Sequence, residues 1–147
     1  MEMSGSTGMP QDYTPVVPFD RCFDAQYGLE IVSEDVEGEG VSRGRVAIGD
    51  EHLDQNGIVH GGVFASAAEA LASRGTAFAV IPHGRMAMGA SNDTTRLEPV
   101  SGGAVHFEAR VLSRAVDMWL WTIEARDDAG RLCAHSRVSV AVRDARA

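Results

Sequence analysis

From residue 104 to residue 142, apolar and polar positions alternate in three successive runs. Val105, Phe107, Ala109 and Val111 alternate with His106, Glu108, Arg110 and Leu112. Trp119, Trp121, Ile123 and Ala125 alternate with more polar partners, and Leu132, Ala134, Ser136, Val138, Val140 and Val142 keep the same rhythm. Period two puts successive side chains on opposite faces of a strand, so three such runs joined by short turns predict an antiparallel meander. Upstream, Tyr27–Val36 and Val41–Ile48 flank Glu37-Gly38-Glu39-Gly40 and predict a hairpin, and Met86–Leu97 predicts a further strand ending before Pro99.

One segment breaks the rhythm. Gly61–Ile81 contains no proline and is loaded with alanine (Ala65, Ala67, Ala68, Ala70, Ala72, Ala77, Ala79). It predicts one long helix, apolar nearly all the way round and therefore buried. At 100° per residue, its polar residues Ser66, Glu69, Ser73 and Thr76 form a stripe about 80° wide, with only Arg74 off it. The expected fold class is α+β: one long central helix wrapped by a curved antiparallel sheet of about five to six strands, the hotdog arrangement.

The chain has 147 residues, enough for one domain that buries roughly 68–70% of its unfolded surface. Residues 1–18 are rich in Ser, Gly, Thr and Pro and read as a flexible leader rather than a signal peptide, with residues 19–147 as a single domain. A formal net charge of -8 argues against a nucleic-acid partner. Cys22 and Cys133 cannot build a disulfide framework, and the five histidines show no metal-binding spacing, so neither metal nor cofactor is expected. No run reaches the roughly 18 apolar residues of a membrane span, and a reduced, cytoplasmic setting is the default.

Glu69 is the chemical anomaly. A carboxylate on a buried helix costs several kcal/mol unless paired, and such groups concentrate at functional sites; the alternative is a helix-edge glutamate that reaches water or a basic partner. The segment Asn56-Gly57-Ile58-Val59-His60-Gly61-Gly62 leads directly into the helix. Glycines at a helix start let a ligand approach free N–H groups, which is what an oxyanion hole requires; a tight turn without a ligand would use the same residues.

The run from His60-Gly61-Gly62 through Glu69 to Ser73 resembles the hotdog-fold acyl-CoA thioesterases, most closely the 4-hydroxybenzoyl-CoA thioesterase branch. Gly89-Ala90-Ser91-Asn92, Pro99-Val100 and Asp127–Ala134 extend the resemblance over Gly57–Arg143. It implies that Glu69 is nucleophile or general base, and that the Gly61 N–H polarises the thioester carbonyl. It further implies that His60 and Gly62 hold the thioester end, that Ser73 contacts the carboxylate or the attacking water, and that sites lie between subunits of a dimer or dimer of dimers. The implied partner is an acyl-CoA with an aromatic or other compact acyl group.

Four positions depart from the branch. Asp54 stands where it has glutamine, with Gln55 one residue late and expected to replace it if the loop shifts. Glu98 stands where it has arginine, with Arg96 on the same strand face as the substitute. Val116 and Asp117 replace a Ser-Thr pair that contacts phosphate, leaving Arg114 or Arg146 to hold CoA. Arg74 is an added charge. These departures keep two rivals open: a hotdog hydratase or dehydratase on acyl-CoA or acyl-carrier-protein substrates, and a non-catalytic acyl-CoA-binding domain. Trp119, Trp121, Met86 and Met88 read as core positions, and Cys133 as an inert small hydrophobe.

Overall fold

The computed structural model describes residues 13–145. After a short helix α1 (Phe23–Gln26) come β1 (Glu30–Asp35), β2 (Val41–Ala47), the long helix α2 (Gly61–Val80), β3 (Arg85–Arg96), β4 (Ala104–Arg114), β5 (Met118–Arg126) and β6 (Leu132–Asp144). The six strands form one antiparallel sheet in the order β1-β2-β4-β5-β6-β3. This is the expected hotdog arrangement. α2 stops at Val80 because Pro82 has no N–H to continue the ladder, and a single 3-10 turn follows.

The sheet wraps one side of α2. Ala67, Ala68, Leu71 and Ala72 on the helix are fully buried, as are Val105, Trp121, Val138 and Val140 on the strands. Alanine brings helix and sheet close, and at Gly75 even a Cβ would stand 2.8 Å from the Trp121 ring. The Trp121 Nε1–H donates to Thr76 Oγ1 at 2.9 Å, and that hydroxyl donates to the Ala72 carbonyl at 2.8 Å.

Three expectations are corrected. α2 is not buried all round: Ala65, Ser66, Ala70, Ser73, Arg74 and Ala77 are half-buried and Glu69 is exposed, because the sheet covers only one face. Thr76 belongs to the core and not to the polar line; it stands at the stripe's edge, where the indole N–H needs an acceptor. Met86 and Met88 are exposed, because β3 is a sheet edge. Trp119, Trp121 and Cys133 are buried as expected.

Among the described residues, no helix is long and apolar enough to cross a membrane. Nor does any group of three or more His, Cys, Asp or Glu among them stand ready to hold a metal ion. Tyr13 packs edge-on against Phe78 of α2, with ring centroids 5.9 Å apart.

Candidate active site

The loop before α2 is built by hydrogen bonds that two histidines organise. Buried His52 accepts the Gly49 N–H at Nδ1 (2.9 Å) and faces the Tyr27 carbonyl with Nε2 (2.7 Å). A carbonyl can only accept, so Nε2 carries the proton. The His60 N–H donates to the His52 carbonyl at 2.8 Å, and the Val59 N–H to Val100 at 2.7 Å. His60 caps α2, its Nδ1 accepting the Gly62 N–H at 2.8 Å, while the Val63 N–H donates to the His60 carbonyl. Gly61 is thereby left with an N–H that no described residue accepts, at the positive end of a 20-residue helix.

Asp54 and Arg96 brace this loop from outside. Asp54 Oδ1 accepts the Asn56 N–H at 2.8 Å, closing a turn in which Gly57 takes φ +75°, a conformation that favours glycine. Arg96 Nη1 donates to Asp54 Oδ2 at 3.3 Å and to the Val59 carbonyl at 3.2 Å. The Asn56 N–H first, and then the Arg96 guanidinium, hold the Asp54 carboxyl below its ordinary pKa.

Between α2 and β3 lies an open cleft of about 540 Å³. Gly61, Gly62, Ser66 and Glu69 face it from the helix, and Asn92, Thr94 and Arg96 from the strand. The Glu69 carboxylate rests against Gly89 of β3 and accepts no hydrogen bond among the described residues. A carboxylate and a helix-terminal N–H, both without a partner among the described residues, thus open into one cleft. That arrangement can polarise a carbonyl and activate either the carboxylate or a water against it.

Of the residues singled out in the sequence, Gly61, Gly62, Glu69 and Arg96 converge on this cleft, and His60 holds its rim. Ser73 lies one turn beyond Glu69 and faces a neighbouring cavity. Gln55 is exposed and is absent from the cleft lining, while Asp54 caps the loop; the expected inward turn of the Gln55 amide is not the conformation seen. Arg114 is not at the cleft: it donates to the Val36 carbonyl and lies over Trp119, 5.0 Å from the ring centroid. Arg146 lies outside the described residues.

Sequence reasoning did not nominate Asn92 and Thr94. Asn92 Nδ2 donates to the Ala65 carbonyl at 2.9 Å, and Thr94 Oγ1 donates to Asn92 Oδ1 at 2.7 Å. The signal was period two, which places both on the face of Arg96.

Residues 56–134 match the family model described as Thioesterase superfamily. The chain belongs to this superfamily. Rv1847 of Mycobacterium tuberculosis, which bears an esterase name, is 28% identical over 146 residues, 98% of this chain and 99% of that one. Its solved structure aligns with a TM-score of 0.78 over 85% of this chain and 98% of that one. The proofreading thioesterase EntH of Klebsiella pneumoniae is 34% identical over 86 residues, 58% of this chain and 62% of that protein. The thioesterase HI1161 of Haemophilus influenzae shares the fold, with a TM-score of 0.75 at 24% identity over 82% of each chain. The matched span of this thioesterase begins at Asn56 and contains every cleft residue. The enzyme is accordingly a thioester hydrolase.

Proposed function

We propose that this thioesterase hydrolyses an acyl-CoA, within the 4-hydroxybenzoyl-CoA thioesterase branch, and that Glu69 is its catalytic carboxylate. The leading substrate class is an aromatic or other compact acyl group. The observation that carries this reading is the pairing in one cleft of an unclaimed Gly61 N–H with the unpaired Glu69 carboxylate. The thioester oxygen accepts from Gly61, which stabilises the negative charge that grows on it.

Two routes follow from the carboxylate. As general base, Glu69 takes a proton from water, the resulting hydroxide attacks the carbonyl carbon, the C–S bond breaks, and the proton returns to the CoA thiolate. As nucleophile, Glu69 attacks the carbonyl and expels the thiolate, and water then cleaves the anhydride to acid and free carboxylate. Trapping the anhydride in a single turnover separates the routes.

Self-association as a dimer or dimer of dimers belongs to the same reading. β3 is a twelve-residue edge strand with no buried residue, which a second copy would cover. Two free thiols suit a reducing, cytoplasmic setting.

The test is release of free thiol across a panel of acyl-CoAs, by wild type and by Glu69→Gln. Thiol release that falls on the order of 100-fold or more in kcat, with KM little changed, is the expected result. Double-bond hydration without thiol release would transfer the cleft to a hydratase, and tight binding without turnover to an acyl-CoA-binding domain.

A further inference from the structure

The two walls of the cleft, α2 and β3, meet at three successive turns of the helix. Gly61 faces the Arg96 side chain, Ala65 faces Asn92, and Glu69 faces Gly89. Four residues nearly complete a helical turn, so the three lie on one face of α2. The contacts at Gly61 and Glu69 involve no hydrogen bond. The middle contact is a bond: Asn92 Nδ2 donates to the Ala65 carbonyl at 2.9 Å. Among the described residues it is the only hydrogen bond between α2 and β3. It lands on the turn that carries the carboxylate, because in an α-helix the carbonyl of Ala65 is the one that accepts the Glu69 N–H.

The direction of this bond is fixed from within the sheet. A carbonyl can only accept, so the Asn92 nitrogen faces Ala65 and its Oδ1 faces away. Thr94 Oγ1 donates to that Oδ1 at 2.7 Å. A hydroxyl has one proton, so Ser136 Oγ, 2.7 Å from Thr94 Oγ1, must donate in its turn. Ser136 is buried on β6, directly across from Thr94. One chain thus runs from the core to the helix, Ser136 to Thr94 to Asn92 to the Ala65 carbonyl, with every proton assigned. Asn92 itself is exposed, so packing does not hold its amide; these bonds do. Turning the amide over would break both of them at once.

We propose that Asn92 is a positioning residue for the hydrolysis: it clamps the Glu69 turn of α2 to β3 and so sets where the carboxylate stands in the cleft. The inference rests on Glu69 being the catalytic carboxylate. Gly61 and Glu69 ride on one helix, and their mutual spacing needs no clamp. The place of that helix against the opposite wall does. A thioester between the walls meets Gly61 and Glu69 on one side and Thr94 and Arg96 on the other, so a shift of one wall misaligns the carboxylate with the carbonyl it must reach. Without the amide, the walls would touch at Gly61 and Gly89 with no bond between them.

The experiment uses the full-length protein and the acyl-CoA that wild type cleaves fastest in the panel above. Asn92→Ala is expected to lower kcat on the order of ten-fold or more and to change KM less than about three-fold, because the group it places acts in the chemical step. The same substitution is then made in Glu69→Gln and followed in single turnovers with enzyme in excess. No carboxylate is left there to place, so the residual rate is expected to change less than about two-fold. A second pair carries the test even if Asn92→Ala fails to fold. Thr94→Val frees the amide to turn and is expected to lower kcat about two- to ten-fold, the worth of one hydrogen bond, while Thr94→Ser restores it. Wild-type kcat in Asn92→Ala, an equal loss with and without the Glu69 carboxylate, or a Thr94→Ser no better than Thr94→Val would each overturn the proposal. Full thiol release by Glu69→Gln with Asn92 intact is a separate failure, that of the Glu69 reading on which the proposal stands.

Discussion

A Cβ at position 89 would overlap Glu69 Oε1 and stand 3.0 Å from its Cδ, so the absence of a side chain on Gly89 is what lets the carboxylate lie against β3. The obstructed atoms are the far end of a flexible side chain, and the strand is already irregular between Gly89 and Ser91. Gly89→Ala is therefore expected to move the carboxylate and spare the fold. A displacement of about 1 Å at a reacting group costs on the order of 100-fold in rate. Steady-state kinetics beside a thermal melt check this: kcat falls steeply and the melting temperature hardly moves. An unchanged kcat would remove the observed Glu69 position from the mechanism.

Asp54 is tied to Arg96 by an ion pair. The Arg96 Nη1 binds Asp54 and the Val59 carbonyl together, and its side chain passes Gly61, where a Cβ would lie 3.6 Å from Arg96 Cδ. Asp54→Ala and Arg96→Ala are each expected to lower kcat/KM on the order of ten-fold, and the double variant to lose little more, since neighbours in one network couple by about 0.5–3 kcal/mol. Gln55, exposed and outside the cleft lining, should change activity less than about two-fold, in line with other surface substitutions. A double-mutant cycle with Gln55→Ala beside it is the measurement. A dominant Gln55 effect would show that the loop shifts when substrate binds and carries the amide inward.

Where a local pattern carries the information, the sequence anticipates the fold closely. Period two locates the β4, β5 and β6 strands, and the alanine run locates α2. Glu69 stands out as the single carboxylate on that helix, and the glycines before it mark the open N-terminus. What local pattern lacks is the identity of the neighbour. A stripe on a helical wheel does not say which of its edges meets the sheet, so Thr76 looks like a companion of Glu69 although it serves Trp121. Met86 and Met88 look like core until the strand order puts β3 at an edge. The Arg74–Glu34 pair joins positions 40 residues apart, and no periodicity announces it.

The Asp54 carboxyl contributes stability that depends on pH, and the sign of that dependence follows from its surroundings. Its pKa is lowered in the folded chain, chiefly by the Asn56 N–H and also by Arg96, so the unfolded chain binds the proton more readily. The stabilisation is therefore present above the ordinary aspartate value of about 3.9 and is lost as pH falls through the lower, folded value. Thermal melts of wild type and Asp54→Asn should differ by a constant amount from neutral pH down to about pH 5, and converge only below about pH 4. Convergence near neutral pH would assign the effect to a histidine instead.

The hydrogen bond from Trp121 to Thr76 makes a stability prediction that runs against volume. Thr76→Val keeps the side chain's size and removes the only described acceptor of a fully buried indole N–H. An unmet buried donor costs about 1–3 kcal/mol. Thr76→Ser deletes a methyl group from the same packed site, at about 0.5–1.5 kcal/mol, and keeps the acceptor. Serine is thus expected to be tolerated better than valine, although valine fills the space and serine does not. For a domain near this size, each kcal/mol lowers the melting temperature by about 2–4 °C, which separates the two variants in urea or heat. Neither residue lines the cleft, so kcat of the folded fraction should stay near wild type in both. A valine variant as stable as wild type would mean that the indole N–H reaches water or another acceptor, and that the Thr76 hydroxyl is dispensable to the core.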